Sequence, residues 1–278
     1  KGFAHTEDLI RRWKEDPLVT IAVEPHSPYL CAPDLLRRAS EIARKNGVPH
    51  VIHLSETQSE VDRIQARYGR RPVAHLADLG VLGPELLACH CVALSKEDID
   101  LLCRHEVKVA HCPESNMKLA SGIAPVPELL KAGVCVGLGT DGCSSNNDLD
   151  LLSEMDMAAK LHKVATLDPT VLDAHTVLRM CTSDGARALG LGGITGILAP
   201  GMRADLIVVD TDAPHMQPLH NPESQLVYSA GGGDVATSII NGRVVMSNRV
   251  LETIDVAAAM ERVRHIAEEI RKGNGGCG

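Results

Sequence analysis

Aromatic side chains are scarce in this sequence. One Phe, one Trp and three Tyr make up 2% of 278 residues. They are Phe3, Trp13, Tyr29, Tyr68 and Tyr228. A core must therefore come from the Leu, Val, Ile and Ala that dominate the 44% hydrophobic fraction. Without aromatic platforms, binding of single-stranded nucleic acid is excluded. No stretch is rich in Lys and Arg, and net charge is −8 with a pI of about 5.9. That leaves nothing to cradle a phosphate backbone, so no nucleic-acid partner is expected. No apolar run reaches the ~18 residues of a membrane helix, and no signal peptide is visible. No Gly-x-Gly-x-x-Gly follows any strand-like segment, which removes support for a dinucleotide cofactor. Internal repeats and low-complexity segments are also missing.

Cysteine is present but not in a disulfide pattern. The nine Cys residues are an odd number, dispersed, and often inside apolar runs, as at Cys89, Cys91 and Cys135. They read as reduced, buried thiols in a cytoplasmic protein with an ordinary acidic surface. Cys89-His90-Cys91 suggests a soft-metal site at first sight. Strand alternation would point both Cys away from the side that His90 faces, so Cys ligands are rejected.

Up to about residue 190 the chain alternates regularly. A helical pattern at Thr6–Lys14 precedes a strand, Val19–Val23, that ends in Glu24-Pro25-His26-Ser27-Pro28. A helix from Ala32 to Asn46 follows, with Gly47 as its C′ residue. Strand Val48–Leu54 leads to Glu56, then helices at Gln58–Tyr68 and Pro72–Leu79. Strand Leu86–Ala93 runs through His90, and Ser95 caps a helix over Lys96–His105. Strand Lys108–His111 leads into Cys112–Met117, then a helix at Val126–Ala132. Strand Val134–Leu138 ends in Gly139-Thr140-Asp141-Gly142. Helical stretches cover Leu149–Leu161 and Ala174–Leu189.

These five strand-then-helix units have apolar strands that read as buried on both faces, hence parallel. They suit either an open doubly wound sheet or part of a (β/α)8 barrel. His26, His53, Glu56, His90, His111 and Asp141 cluster where strands end. A barrel gathers such groups from several strands, whereas an open sheet needs them only at one crevice. The expectation is an α/β TIM barrel of the metal-dependent hydrolase type, with only about strands 4–8 present, spanning residues 1–198. A small β-sandwich appendage is expected over 199–252, with Ala204–Asp210 as a strand and a hairpin turning at Asn241-Gly242. An amphipathic helix, Val256–Lys272, and a mobile glycine-rich tail complete 253–278.

A hydrolytic metal centre needs His and carboxylate ligands from separate elements and an open position for water. One carboxylate can take the water's proton and a second can deliver a proton to the leaving side. At barrel strand ends, His53, Glu56, His90 and Asp141 supply these groups. Singly, each has a plainer reading. A strand-end His is usually hydrogen-bonded structure, Glu56 a helix N-terminal charge, and Asp141 a turn residue. His50 starts its strand, at the wrong end, and reads as structural. The remaining histidines (His5, His75, His105, His162, His175, His215, His220 and His265) read as surface or packing residues.

Together the motifs say more. Glu24–Tyr29 (EPHSPY), His53–Thr57 (HLSET), Cys89–Ser95 (CHCVALS), His111–Leu119 (HCPESNMKL) and Gly139–Gly142 (GTDG) occur in order. With Gly201–Asp210, they resemble the amidohydrolase superfamily, specifically the 5-methylthioadenosine/S-adenosylhomocysteine deaminases, along essentially the whole chain. The resemblance implies a metal-dependent hydrolase that converts an adenosine-type purine nucleoside to its inosine analogue and ammonia. It implies His53 and Asp141 as metal ligands, with Asp141 also taking the proton of the attacking water. Glu56 would contact the purine and shuttle a proton to its ring nitrogen. His90 would orient the attacking hydroxide, and His26 would hold a ribose hydroxyl. His111 and Asn116 would shape a loop. One divalent metal per subunit follows, Zn2+ first, with Fe2+, Ni2+ or Mn2+ as alternatives, and a homo-oligomer is compatible.

One departure is marked. The family draws two ligands from a His-x-His on the first barrel strand, and no His-x-His occurs here. Two further His ligands are expected upstream of Lys1, so the chain reads as the C-terminal two-thirds of the enzyme. Alone it is expected not to fold stably, because a five-unit barrel has two open sheet edges. Two rivals stand beside this reading. One is another amidohydrolase of the branch, acting on guanine, a triazine or a related ring. The other is a catalytically dead scaffold, against which the joint retention of His53, Glu56, His90 and Asp141 argues.

Overall fold

The computed structural model describes residues 2–274. It is an α/β structure with two sheets. Helix α1 (Gly2–Trp13) packs on α2 (Pro33–Asn46) around Ile10, Val23, Ala39 and Ile42. Helix α2 starts with Pro33 and stops at Gly47, whose φ of 63° is the left-handed conformation expected at C′. A four-stranded parallel sheet follows in simple order: β1 (His50–Leu54), β2 (Leu86–His90), β3 (Lys108–His111) and β4 (Val136–Leu138). Between its strands lie α3 (Gln58–Tyr68), α4 (Pro72–Asp78), α5 (Lys96–Arg104), α6 (Pro113–Lys118) and α7 (Val126–Lys131). Ser95 caps α5 in a full capping box with Asp98.

Two expectations change here. The segment Val19–Val23 forms no full strand. It makes a single parallel bridge, Val23 to His50, although His26 carries the pairing on by accepting the His53 amide at 3.1 Å. With a neighbour on one side only, its ladder stays short. Burial on both faces holds for most of β2 but not for β1. In β1, His50, Ile52 and Leu54 are buried under helices while Val51 and His53 are half-buried, so the face bearing His53 is partly open.

After β4 come α8 (Leu151–Thr166), α9 (Ala174–Cys181) and α10 (Ser183–Ala188). The single helix expected over Ala174–Leu189 breaks at Thr182, at φ −118° and ψ −95°. The break lets α10 approach β4 at Gly137, where a Cβ would sit 2.9 Å from the Gly185 Cα. The appendage is one antiparallel sheet of β5 (Leu206–Val209), β6 (Val235–Ile240), β7 (Arg243–Ser247) and β8 (Val250–Leu251). Helix α11 (Pro222–Tyr228), not anticipated, lies between β5 and β6 in sequence and packs on α8 and α9. The β6–β7 hairpin turns at Asn241 and Gly242 with φ of 48° and 76°, as a type I′ turn requires. Helix α12 (Val256–Asn274) closes the described chain. The tail from residue 275, expected to be mobile, lies outside the described residues. No described helix is long and apolar enough to cross a membrane.

Candidate metal centre

The candidate residues leave the C-terminal ends of the parallel strands β1, β2 and β4, and each is aimed by a local device. His53 sits near the end of β1. Its Nδ1 lies 2.7 Å from the His26 carbonyl. A carbonyl only accepts, so Nδ1 carries the proton and the Nε2 lone pair is free for a metal. The His26 ring stacks on that of His53 at 4.6 Å.

His90 needs a sharper device. The β1–β2 register pairs His53 with Cys89 and Leu54 with His90. A regular strand would therefore turn His90 to the face opposite His53. Instead the Cys91 amide donates to the Cys89 carbonyl at 3.0 Å, around His90 at φ 72°. This is a γ-turn of the rare positive-φ kind, a strained form met at functional sites. It swings the His90 ring to within 5.6 Å of the His53 ring. The alternation argument applied to the cysteines therefore does not hold, because Cys89 shares the register of His53. Neither cysteine joins the cluster of ligand-capable groups. Burial pushes the Cys89 thiol up to about 12 and raises the Cys91 thiol well above the usual range. On its other side, His90 Nδ1 donates to Asn116 Oδ1 at 2.9 Å, which leaves Nε2 toward the cluster.

Asp141 follows β4 in the left-handed region, φ 61°, which Asp tolerates better than most residues. Its Oδ2 accepts from Ser115 Oγ at 2.7 Å and Ser145 Oγ at 2.6 Å. Burial opposes ionisation, but the Ser145 and Ser115 hydroxyls, the Gly142 amide and His90 prevail and hold this carboxyl below the usual range. One ligand-capable atom each from His53, His90 and Asp141 lies within 4.8 Å of the others. Two imidazole nitrogens and an ionised carboxylate are a donor set that suits zinc. Bonds of about 2 Å draw such a set together with small side-chain shifts.

Beside these residues stand further groups, of which Glu60, Ser115 and Ser145 were not among the expected site residues. Glu56 accepts from Ser121 Oγ at 3.2 Å, and its own amide donates to Glu60 Oε2 at 2.8 Å. Glu60 is buried beneath this turn, and burial pushes its carboxyl up to about 7. The Thr57-x-x-Glu60 spacing of a capping box is the signal that marks it. Ser115, Asn116 and Ser145 carry no comparable mark. His111 stays out of the cluster, as expected. Its Nε2 is 3.1 Å from His162 Nε2 in a buried pair, and burial drives both rings down, His162 to about 4. Buried His50 is likewise lowered to about 4, as fits a structural residue at a strand's start.

The chain is 60% identical over 270 residues to the 5-methylthioadenosine/S-adenosylhomocysteine deaminase of Syntrophobacter fumaroxidans, covering 97% of this chain and 62% of that protein. It is 46% identical over 255 residues to the 5'-deoxyadenosine deaminase of Methanothermobacter thermautotrophicus, covering 92% and 59%. The crystal structure of an adenosine deaminase from Xanthomonas campestris with bound zinc matches with a TM-score of 0.95 at 42% identity, over 97% of this chain and 62% of that one. The chain thus spans about three-fifths of the length of these relatives. With the amidohydrolase family model matching residues 3–245, the chain belongs to the amidohydrolase family.

Proposed function

We propose that the protein carrying this chain is a metal-dependent deaminase of an adenosine-type nucleoside, with 5-methylthioadenosine or S-adenosylhomocysteine as substrate. The observation that carries this reading is the convergence of His53, His90 and Asp141 within 4.8 Å at three strand ends. The names of the three relatives described above, each an adenosine-type deaminase, point to the substrate class. Residues 1–198 would be the C-terminal part of a barrel, 199–252 part of a β-sandwich, and 253–278 a terminal helix and tail.

His53 and Asp141 would hold one divalent ion, zinc first, together with two further His from outside this chain. When bound, the metal supplies a water of lowered pKa and polarises the reacting centre. Asp141, kept ionised by its two serines, would accept a proton from the attacking water as its oxygen bonds to C6 of the adenine ring. His90, whose Nδ1 proton is held by Asn116, offers the Nε2 lone pair to an O–H of the attacking water and so orients it. Glu56 delivers a proton to the adjacent ring nitrogen. The C6–N bond then breaks, ammonia leaves with the proton held by Asp141, the C6 hydroxyl returns its proton to Glu56, and the ring keeps the oxygen as a carbonyl. His26, stacked outside His53, would hold a ribose hydroxyl.

The test is an ultraviolet turnover panel of adenosine, 5-methylthioadenosine, S-adenosylhomocysteine, guanine and a chlorotriazine. The intact protein is expected to turn over the nucleosides. Glu56→Gln and Asp141→Asn should each lose about 100-fold or more in kcat. Turnover of guanine or triazine alone would overturn the substrate class. Undiminished rates in either variant would overturn the roles of those residues.

A further inference from the structure

Helix α6 does something unusual for six residues. It follows β3, the strand between β2 and β4 in the sheet. Three consecutive residues on it make three different connections. The Glu114 amide donates to Glu154 Oε2 at 3.2 Å. Ser115 Oγ donates to Asp141 Oδ2 at 2.7 Å, beyond the end of β4. Asn116 Oδ1 accepts from His90 Nδ1 at 2.9 Å, at the end of β2. Successive helical residues point about 100° apart, so neighbours on one turn can reach strand ends on either side. Lys118 adds a fourth tie, to the Ser144 carbonyl at 3.0 Å.

Glu154, on α8, lies beneath this arrangement. It is 0% exposed, and among the described residues it has no cationic partner in a salt bridge. Its Oε1 accepts from Asn146 Nδ2 at 2.6 Å. Asn146 belongs to the loop that begins at Asp141, so the two carboxylate oxygens bridge that loop and α6. Desolvating a carboxyl without a counter-charge is costly. An apolar side chain of similar volume would fill the space without that cost, but it could not accept from two converging N–H groups. Burial, reinforced by Glu114, pushes this carboxyl up to about 8, partly offset by its hydrogen bonds.

We propose that α6 is a positioning clamp for the metal cluster: Ser115 aims Asp141, Asn116 aims His90, and Glu154 holds the helix and the Asp141 loop in one register. The proposal rests on the reading of His53 and Asp141 as metal ligands with His90 beside them. None of the three clamp residues touches the reacting atoms, so they act through the groups they hold.

The test uses Ser115→Ala, Glu154→Gln, Glu154→Leu and the double variant Ser115→Ala/Glu154→Gln in the intact protein. Zinc affinity is measured by chelator competition without substrate, and kcat and KM are measured separately. Partners of metal ligands typically contribute about 10-fold or more in affinity. Glu154→Leu should therefore bind zinc at least about 10-fold more weakly and lose kcat, with KM within about twofold. Glu154→Gln, which keeps one acceptor, should recover part of the loss. Because the clamp is one unit, the double variant should lose less than the product of its single losses. Zinc affinity and kcat within about twofold of the parent in both Ser115→Ala and Glu154→Gln would overturn the clamp, as would fully multiplicative losses. If Glu154→Leu fails to fold, those two milder variants still decide. A protein that loses zinc in these variants yet turns over no nucleoside counts against the proposed reaction and not against the clamp.

Discussion

Glu60 is a carboxyl that the fold favours in its protonated form, and this has a measurable sign. Its folded value of about 7 lies above the ordinary 4.5. Its stabilising contribution is complete below about 4.5 and is lost as pH rises through 7. At about 1.4 kcal/mol per unit, the full effect is on the order of a few kcal/mol. Buried His50 and His162 act oppositely. Lowered to about 4 from 6.5, they contribute stability above 6.5 that is lost as pH falls through 4. Their effect cancels when a Glu60 variant is compared with the parent. The expected outcome is that Tm of Glu60→Gln, relative to the parent, rises steadily from pH 5 to pH 8. A difference that stays flat across this range would show that Glu60 is ionised in the folded protein. At the residue scale, His53, Glu56, His90 and Asp141 were legible because polar side chains at apolar strand ends stand out. Glu60 and Ser115 were not, and Asn116 was expected only to shape a loop, because a hydroxyl, an amide or a helix-start Glu in a polar turn looks the same whether or not it holds a ligand.

Among elements, the alternation of strands and helices was legible from apolar runs and caps, and most boundaries fell within a few residues of those expected. What stayed hidden depends on contacts distant in sequence. The γ-turn at His90 is set by the neighbouring strand and by Asn116, neither of which leaves a local mark in Cys89-His90-Cys91. The break between α9 and α10 follows from the approach of Gly185 to Gly137 in β4. That approach carries a prediction. In Gly137→Ala the new Cβ meets the Gly185 Cα at 2.9 Å, so backbone must shift. Overpacking of this kind costs about 1–3 kcal/mol. Because β4 leads into Asp141, zinc affinity should fall with stability. Gly193→Ala, where nothing lies within 4 Å and φ is not positive, serves as the control and should be neutral. Urea unfolding of the two variants beside the parent checks this. Equal stabilities would mean that the approach of α10 is loose and does not fix β4.

At the scale of the whole molecule, much apolar surface faces solvent. On the appended sheet, Ile207, Val208, Val244 and Val250 are between 45% and 64% exposed. Helix α12 leaves Val256, Met260, Val263, Ile266 and Ile270 between 40% and 65% exposed along its length. The face of the parallel sheet that bears His53 is half-open, and outside β1 the described residues offer only the Val23 bridge. Apolar patches and unpaired strand edges of this extent are sites of association. The chain also covers only 62% of the length of its Syntrophobacter relative. Residues 1–278 produced alone should therefore bind a hydrophobic dye, self-associate and melt without a cooperative transition. The intact protein should melt in one sharp step that shifts upward with zinc, because a ligand bound only to the folded state stabilises it. The two preparations are compared by calorimetry and by sedimentation at matched concentration. A monomeric 1–278 with a sharp, zinc-dependent transition would show that these surfaces are tolerated as they stand, and that the residues of this chain suffice to hold the metal.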